Sequence, residues 1–151
     1  MRNTKNEFIQ MPILKSLIFI LTVGWSFQAS SQSSASATSL KNGQSVYISY
    51  CQSCHMEDGN GLPGVFPPLV KTGNLNDPNR LVKVILQGMR GPIVVKGDTY
   101  DGEMAPTDLT DQEVADVINY IRNTWGNKAP YLNAADIAKA KKSTVKGFQP
   151  Y

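Results

Sequence analysis

Cys51-Gln52-Ser53-Cys54-His55 decides how this chain is read. Two cysteines three positions apart, with a histidine directly after the second, form the attachment pattern for a c-type haem. On a helical turn this spacing brings both thiols to one side, where they can add to the two vinyl groups along one edge of a porphyrin. His55 can then place its imidazole beneath the iron from that same side. Half of a zinc site would look similar, but zinc wants about four ligands, and the chain has 2 cysteines and 1 histidine. A thiol-redox pair would call for a thioredoxin-like βαβ pattern around it, and the flanking sequence has none.

Upstream of the motif lies a targeting segment. Arg2, Lys5 and Lys15 precede an apolar run from Ser16 to Phe27. The run is short against the roughly 20 residues of a membrane span and suits a signal-peptide core, with Ala29-Ser30-Ser31 as the small-residue cleavage site. Met11 is a second possible start. Residues 1–31 are therefore expected to be a signal peptide, or a membrane anchor if left uncleaved. Residues 32–39, all Ser, Ala, Gln and Thr, read as a flexible linker. The fold is expected to begin at residue 40.

Charge excludes one class of partner. The whole chain carries a formal +3, but the excess sits at its ends. From Lys41 to Lys128 there are 8 basic and 10 acidic residues, while Lys139, Lys141, Lys142 and Lys146 face only Asp136 in the tail. The basic pI is thus no sign of nucleic-acid binding.

Hydrophobic periodicity predicts a helix over 41–52, with Gly43, Tyr47 and Cys51 aligned and Val46 and Tyr50 beside them. Gly43 either admits the backbone of another element or marks a frayed start. Residues 56–76, rich in Gly, Pro and Asn, form a long loop, a length that usually signals function. Asp77-Pro78 opens a short helix ending at Gly88. A small hairpin is expected around Ile93–Lys96. Thr110-Asp111-Gln112-Glu113 is a capping box and opens the clearest helix, with Val114, Val117, Ile118, Ile121 and Trp125 on one face and Gly126 as its stop. Beyond it, residues 134–142 read as one short helix and the last residues as mobile. Such short helices make a thin core, so the apoprotein is expected to be largely unfolded.

Candidate iron ligands follow from what the chain contains. With a single histidine, His55, a bis-histidine pair within the chain is excluded, and a thioether is the remaining strong donor for the opposite face. Met1 and Met11 lie in the leader, and Met56 adjoins His55 on the wrong side. Met89 ends an apolar helix and reads as a core filler. Met104 sits between the turn signals Asp101-Gly102 and Ala105-Pro106, in a loop able to aim its sulfur; the alternative is an exposed structural methionine.

Over residues 40–126 the chain resembles the small mono-haem class I cytochromes c of bacteria. The resemblance rests on Gly43, Tyr47 and Cys51 in the first helix, on Val117 and Tyr120 in the last, and on Pro67 and Leu69 after the histidine. The stretch Tyr100-Asp101-Gly102-Glu103-Met104-Ala105-Pro106 is similar to the family's methionine-ligand loop. It implies an all-α fold of three to four short helices around one covalent haem c on Cys51 and Cys54, with residues 127–151 as an extension. It implies His55 and Met104 as metal ligands, with Pro67 and Leu69 as further haem-binding residues. The Pro67 carbonyl would accept from the His55 ring, with Pro68 competing for that role. Leu69, Val65 and Ile85 could touch the porphyrin, and Tyr100 and Trp125 could reach a propionate or simply pack.

The function so implied is that of a periplasmic one-electron carrier, acting alone as a monomer or as the electron-transfer subunit of a dehydrogenase, nitrite reductase or terminal oxidase. Its partners would be redox proteins; no nucleic acid is expected, and a membrane only if the leader stays. Two other readings compete. A labile sixth position would make the chain a haem enzyme or gas sensor, and free Cys51 and Cys54 would make it a thiol oxidoreductase.

Overall fold

The computed structural model describes residues 29–151, so the expected leader, apart from Ala29-Ser30-Ser31, lies outside the described residues. Among the described residues the order is α1 (Ala29–Tyr50), α2 (Gln52–His55), a 3-10 turn (Gly73–Leu75), α3 (Pro78–Gln87), β1 (Pro92–Val95), β2 (Asp98–Asp101), α4 (Asp111–Asn123) and α5 (Ala134–Lys141). The architecture is helical, with one two-stranded hairpin.

Gly43 is buried where α1 meets α4. A Cβ there would run into the carbonyl oxygen of Asp116 and come within 2.8 Å of the Tyr120 Cβ. Of the two roles open to this glycine, the structure selects close approach of a second backbone. One turn on, Tyr47 is 1 % exposed and its hydroxyl donates to the Met56 carbonyl (2.6 Å). Its ring meets Tyr120 and Trp125 at centroid distances of 5.4 and 5.2 Å. Tyr50, grouped with this face by periodicity, instead points outward.

The helix also runs across residues 32–39, where a flexible linker was expected. Alanine favours helix intrinsically, and the end of the stretch is captured by α4. Ser39 Oγ donates to Asp116 Oδ1 (2.6 Å), and Asn119 Nδ2 donates to Ser39 Oγ (2.9 Å). Composition alone cannot reveal bonds to residues some 80 positions away.

α3 has the expected ends. Asp77 Oδ1 accepts from the backbone N–H groups of Asn79 and Arg80 (2.9 and 3.2 Å), and Gly88 stops the helix at φ 65°. In the hairpin Ile93 pairs with Tyr100 and Val95 with Asp98. Lys96 and Gly97 turn the chain at positive φ, as a tight two-residue hairpin requires. The hairpin returns the chain beside its start. Met89 and Met104 exchange backbone bonds, Met89 N to Met104 O (2.9 Å) and Met104 N to Met89 O (2.8 Å).

α4 starts with the capping box at Thr110 and Glu113 and buries Val114, Val117, Ile118 and Ile121. It ends at Asn123, three residues before Gly126. Thr124 is extended, with its hydroxyl on the Tyr120 carbonyl (2.6 Å). The break throws Trp125 off the helical face and onto Tyr47 and Tyr120.

Residues 127–151, read as an appended extension, belong to the same core. Ile137 is 0 % exposed and Ala140 4 %; a fully buried isoleucine contributes about 1.5–3 kcal/mol. Asn119 anchors the approach to α5: its amide donates to Leu132 O (2.8 Å) and its carbonyl accepts from Leu132 N (2.8 Å). The final residues, expected to be mobile, are tied back. Arg90 N donates to Gln149 O and Tyr151 N to Gln87 O, both at 3.3 Å.

Candidate functional site

Five parts of the chain converge on one apolar crevice. The motif supplies Cys51 and His55, the following loop Pro67, Pro68 and Leu69, α3 Leu81, Val84 and Ile85, the hairpin region Met89, Ile93, Val95 and Met104, and α4 Ile118 and Ile121. The few polar side chains on its wall are Thr72, Asn74 and Arg80.

His55 sits at the inner end of α2. Its Nδ1 lies 2.9 Å from the Pro67 carbonyl, and because a carbonyl only accepts, Nδ1 must carry the proton. Nε2 is therefore left with its lone pair, the form in which a histidine ligates a metal. Burial lowers the ring's proton affinity, partly offset by the bond to Pro67, so the imidazole is held neutral. The partner is Pro67 rather than Pro68. Leu69 is fixed beside it through Leu69 N to Gly59 O (2.7 Å).

Cys51 faces the crevice and Cys54 does not line it, although both are half-buried. Burial, with the neighbouring Cys54 second, pushes the free Cys51 thiol up to about 11. Reactive thiols are depressed below their usual value near 8.5. Cys51 is thus poorly suited to be the attacking thiol of a thiol–disulfide exchange.

Both Met104 and Met89 line the crevice. The second was expected as a core filler, and its exchange of backbone bonds with Met104 brings it to the same wall. Val65, suggested as a porphyrin contact, is half exposed and lines no part of the crevice. Trp125 packs in the aromatic cluster, as one of its two suggested roles required. Two residues escaped notice in the sequence. Among the described residues Arg80 is the only cation lining the crevice, and its place in the first turn of α3 gave no hint of that. Asn127 holds the Leu69 loop to α4, its amide donating to Leu69 O (2.9 Å) and Ile121 O (2.7 Å) while Oδ1 accepts from Lys71 N (2.7 Å). It follows Gly126 and reads simply as a turn residue.

The donor set fits a porphyrin: the Cys51 thiol and a neutral, oriented imidazole at one side of an apolar slot, with Cys54 three positions along the same turn, thioethers on its wall, and one cation for acidic substituents. The cytochrome c family model matches residues 40–125. The chain belongs to the cytochrome c family. It is 37 % identical over 119 residues to cytochrome c-552 of Thermus thermophilus, a match covering 73 % of this chain and 77 % of that protein. It is 38 % identical over 107 residues to the cytochrome c subunit of a quinone alcohol dehydrogenase from Gluconobacter oxydans, covering 66 % of this chain and 22 % of the larger subunit. The gluconate 2-dehydrogenase cytochrome c subunit of Pantoea cypripedii is 35 % identical over 123 residues, covering 72 % of this chain and 26 % of that subunit. This cytochrome has the class I fold and carries a covalent haem c, with Cys51 and Cys54 in the attachment position. It is an electron-transfer protein rather than a catalyst in its own right. Among the described residues, no helix is long and apolar enough to cross a membrane.

Proposed function

We propose that this cytochrome is a periplasmic one-electron carrier whose iron is held by His55 on one face and Met104 on the other, and that it serves a dehydrogenase as redox partner or subunit. The observation that carries the reading is the His55–Pro67 bond, which orients a neutral imidazole on a crevice that Met104 also lines. The haem supplies the one-electron couple. The rest is work for the chain. Cys51 and Cys54 anchor the group, and the Pro67 carbonyl sets the ring plane of His55 and strengthens it as a donor. With Met104 as second donor beside His55, the haem would favour the reduced state, and two protein donors would leave no position for oxygen or peroxide. Pro67, Leu69, Ile85 and Ile118 exclude water. Arg80 and Asn74 would meet the acidic substituents at the rim.

Leu62 and Val65 are 45 % and 50 % exposed. They lie on the loop whose Val65 carbonyl approaches Gly102 of the Met104 loop. A small exposed apolar patch of this kind suits the weak, brief contacts of electron-transfer pairs. Periplasmic location rests on the leader and on the extracytoplasmic attachment of c-type haem; the dehydrogenase partner rests on the relatives' names. The test is the oxidised absorption spectrum, with its weak sulfur-to-iron band, in the wild type, Met104→Ala and Met89→Ala. The band should vanish only in Met104→Ala, which should also bind carbon monoxide rapidly when reduced. Loss of the band in Met89→Ala alone would overturn the ligand assignment.

A further inference from the structure

Outside the crevice, the last turn of α4 holds a side chain that nothing so far explains. Arg122 is 7 % exposed, and among the described residues its Nε and Nη1 are shut from solvent with no hydrogen-bond partner. A guanidinium keeps its charge at any physiological pH, and a buried charge without a counter-charge is costly. Arg122 lines a cleft of about 430 Å³ between the Lys71–Asn76 segment and the 126–129 turn. Lys71 and Lys128 line it too, and among the described residues no carboxylate does.

The walls are built rather than loose. Lys71 is held at φ 48° by its N–H bond to Asn127 Oδ1. Its side chain crosses Gly126 so closely that a Cβ there would come 2.7 Å from Lys71 Cε and 3.4 Å from Nζ. The Asn127 amide is spent on Leu69 and Ile121, which pins the turn to α4. Gly126 thus leaves room for a lysine over the cleft that holds Arg122. The Arg122 charge, flanked by two ammonium groups, matches a multiply charged oxyanion better than a halide.

We propose that Arg122, Lys71 and Lys128 form a binding site for a small oxyanion of the phosphate class, in a cleft that shares Thr72 and Leu75 with the haem crevice. The test uses the intact holoprotein in chloride buffer at constant ionic strength, titrated with inorganic phosphate. Backbone amide shifts and thermal midpoints are recorded together. Wild type should show saturable one-to-one shifts centred on residues 71–76 and 122–129, and a midpoint that rises with phosphate as linkage demands. Lys71→Gln and Lys128→Gln, both outside the core, should each weaken phosphate binding several-fold. Arg122→Met should keep or raise the phosphate-free midpoint and lose the phosphate-dependent rise. The two lysine variants decide the matter if Arg122→Met does not fold. Shifts that never saturate, an equal response to added chloride, or unchanged affinity in both lysine variants would overturn the site.

Discussion

Gly43→Ala is a test of sign. If the glycine merely frayed the start of α1, alanine would stabilise the helix by about 1 kcal/mol. The structure demands the reverse. The new methyl group would overlap the Asp116 carbonyl and press on Tyr120 Cβ at 2.8 Å. Its main obstacle is helix backbone, which cannot rotate aside as a side chain could. The two helices must part, and overpacking of this kind costs about 1–3 kcal/mol. Parting them also stretches the bonds joining Ser39 to Asp116 and Asn119, and hydrogen bonds to charged groups contribute about 1.5–3 kcal/mol. Against the propensity gain, a net loss of about 2 kcal/mol remains, roughly thirtyfold in the folding equilibrium. Guanidinium unfolding of the oxidised holoprotein, followed by helical circular dichroism, measures it. Gln44→Ala, at the exposed neighbouring position, reports propensity alone. Equal or greater stability of Gly43→Ala would refute the crossing contact as the reason for this glycine.

Two further expectations concern α4. Glu113 accepts from the Thr110 hydroxyl and N–H (2.7 and 2.8 Å), and these bonds, the hydroxyl's first, hold its carboxyl below the usual range. A depressed folded value means the contribution is complete above the ordinary glutamate pKa of about 4.3 and fades as pH falls through the lower folded value. Glu113→Gln should therefore lower the urea midpoint at pH 7, and the gap to wild type should close in acid; a pH-independent gap would show that charge is irrelevant there. Asn119→Ala strips the Leu132 N–H and C=O of their side-chain partner, a loss of about 2–6 kcal/mol at about 1–3 per stranded group. Trypsin should then cut after Lys128 well before the rest of the domain; unchanged cleavage would mean α5 is held by other contacts.

Deleting residues 133–151 is no clean test of whether the tail lysines Lys139, Lys141, Lys142 and Lys146 touch a redox partner. It would also remove Ile137 and Ala140 from the core. Charge-neutralising Lys142 and Lys146 leaves that packing intact and isolates the electrostatic question.

Covalent chemistry and local stereochemistry could be read straight from the residues. Cys51, Cys54 and His55 announce the cofactor because no other common site needs that spacing. Asp77-Pro78 and Thr110–Glu113 announce their helices because a cap is satisfied within four residues. What required the folded chain were relations between distant residues. Only the tertiary contact tells a glycine that receives a backbone from one that frays. Only the path of the loop selects the Pro67 carbonyl over that of Pro68 for His55. Residues 32–39 and 127–151 look like linker and appendage by composition, because small or lysine-rich segments carry little periodic signal. Polar side chains on α4 reach both segments, Ser39 meeting Asp116 and Asn119 and Leu132 meeting Asn119, while Ile137 and Ala140 add apolar burial to the second. Such bonds are specified by position in space, and hydrophobic periodicity, which records only which face of an element is turned inward, has no means of expressing them.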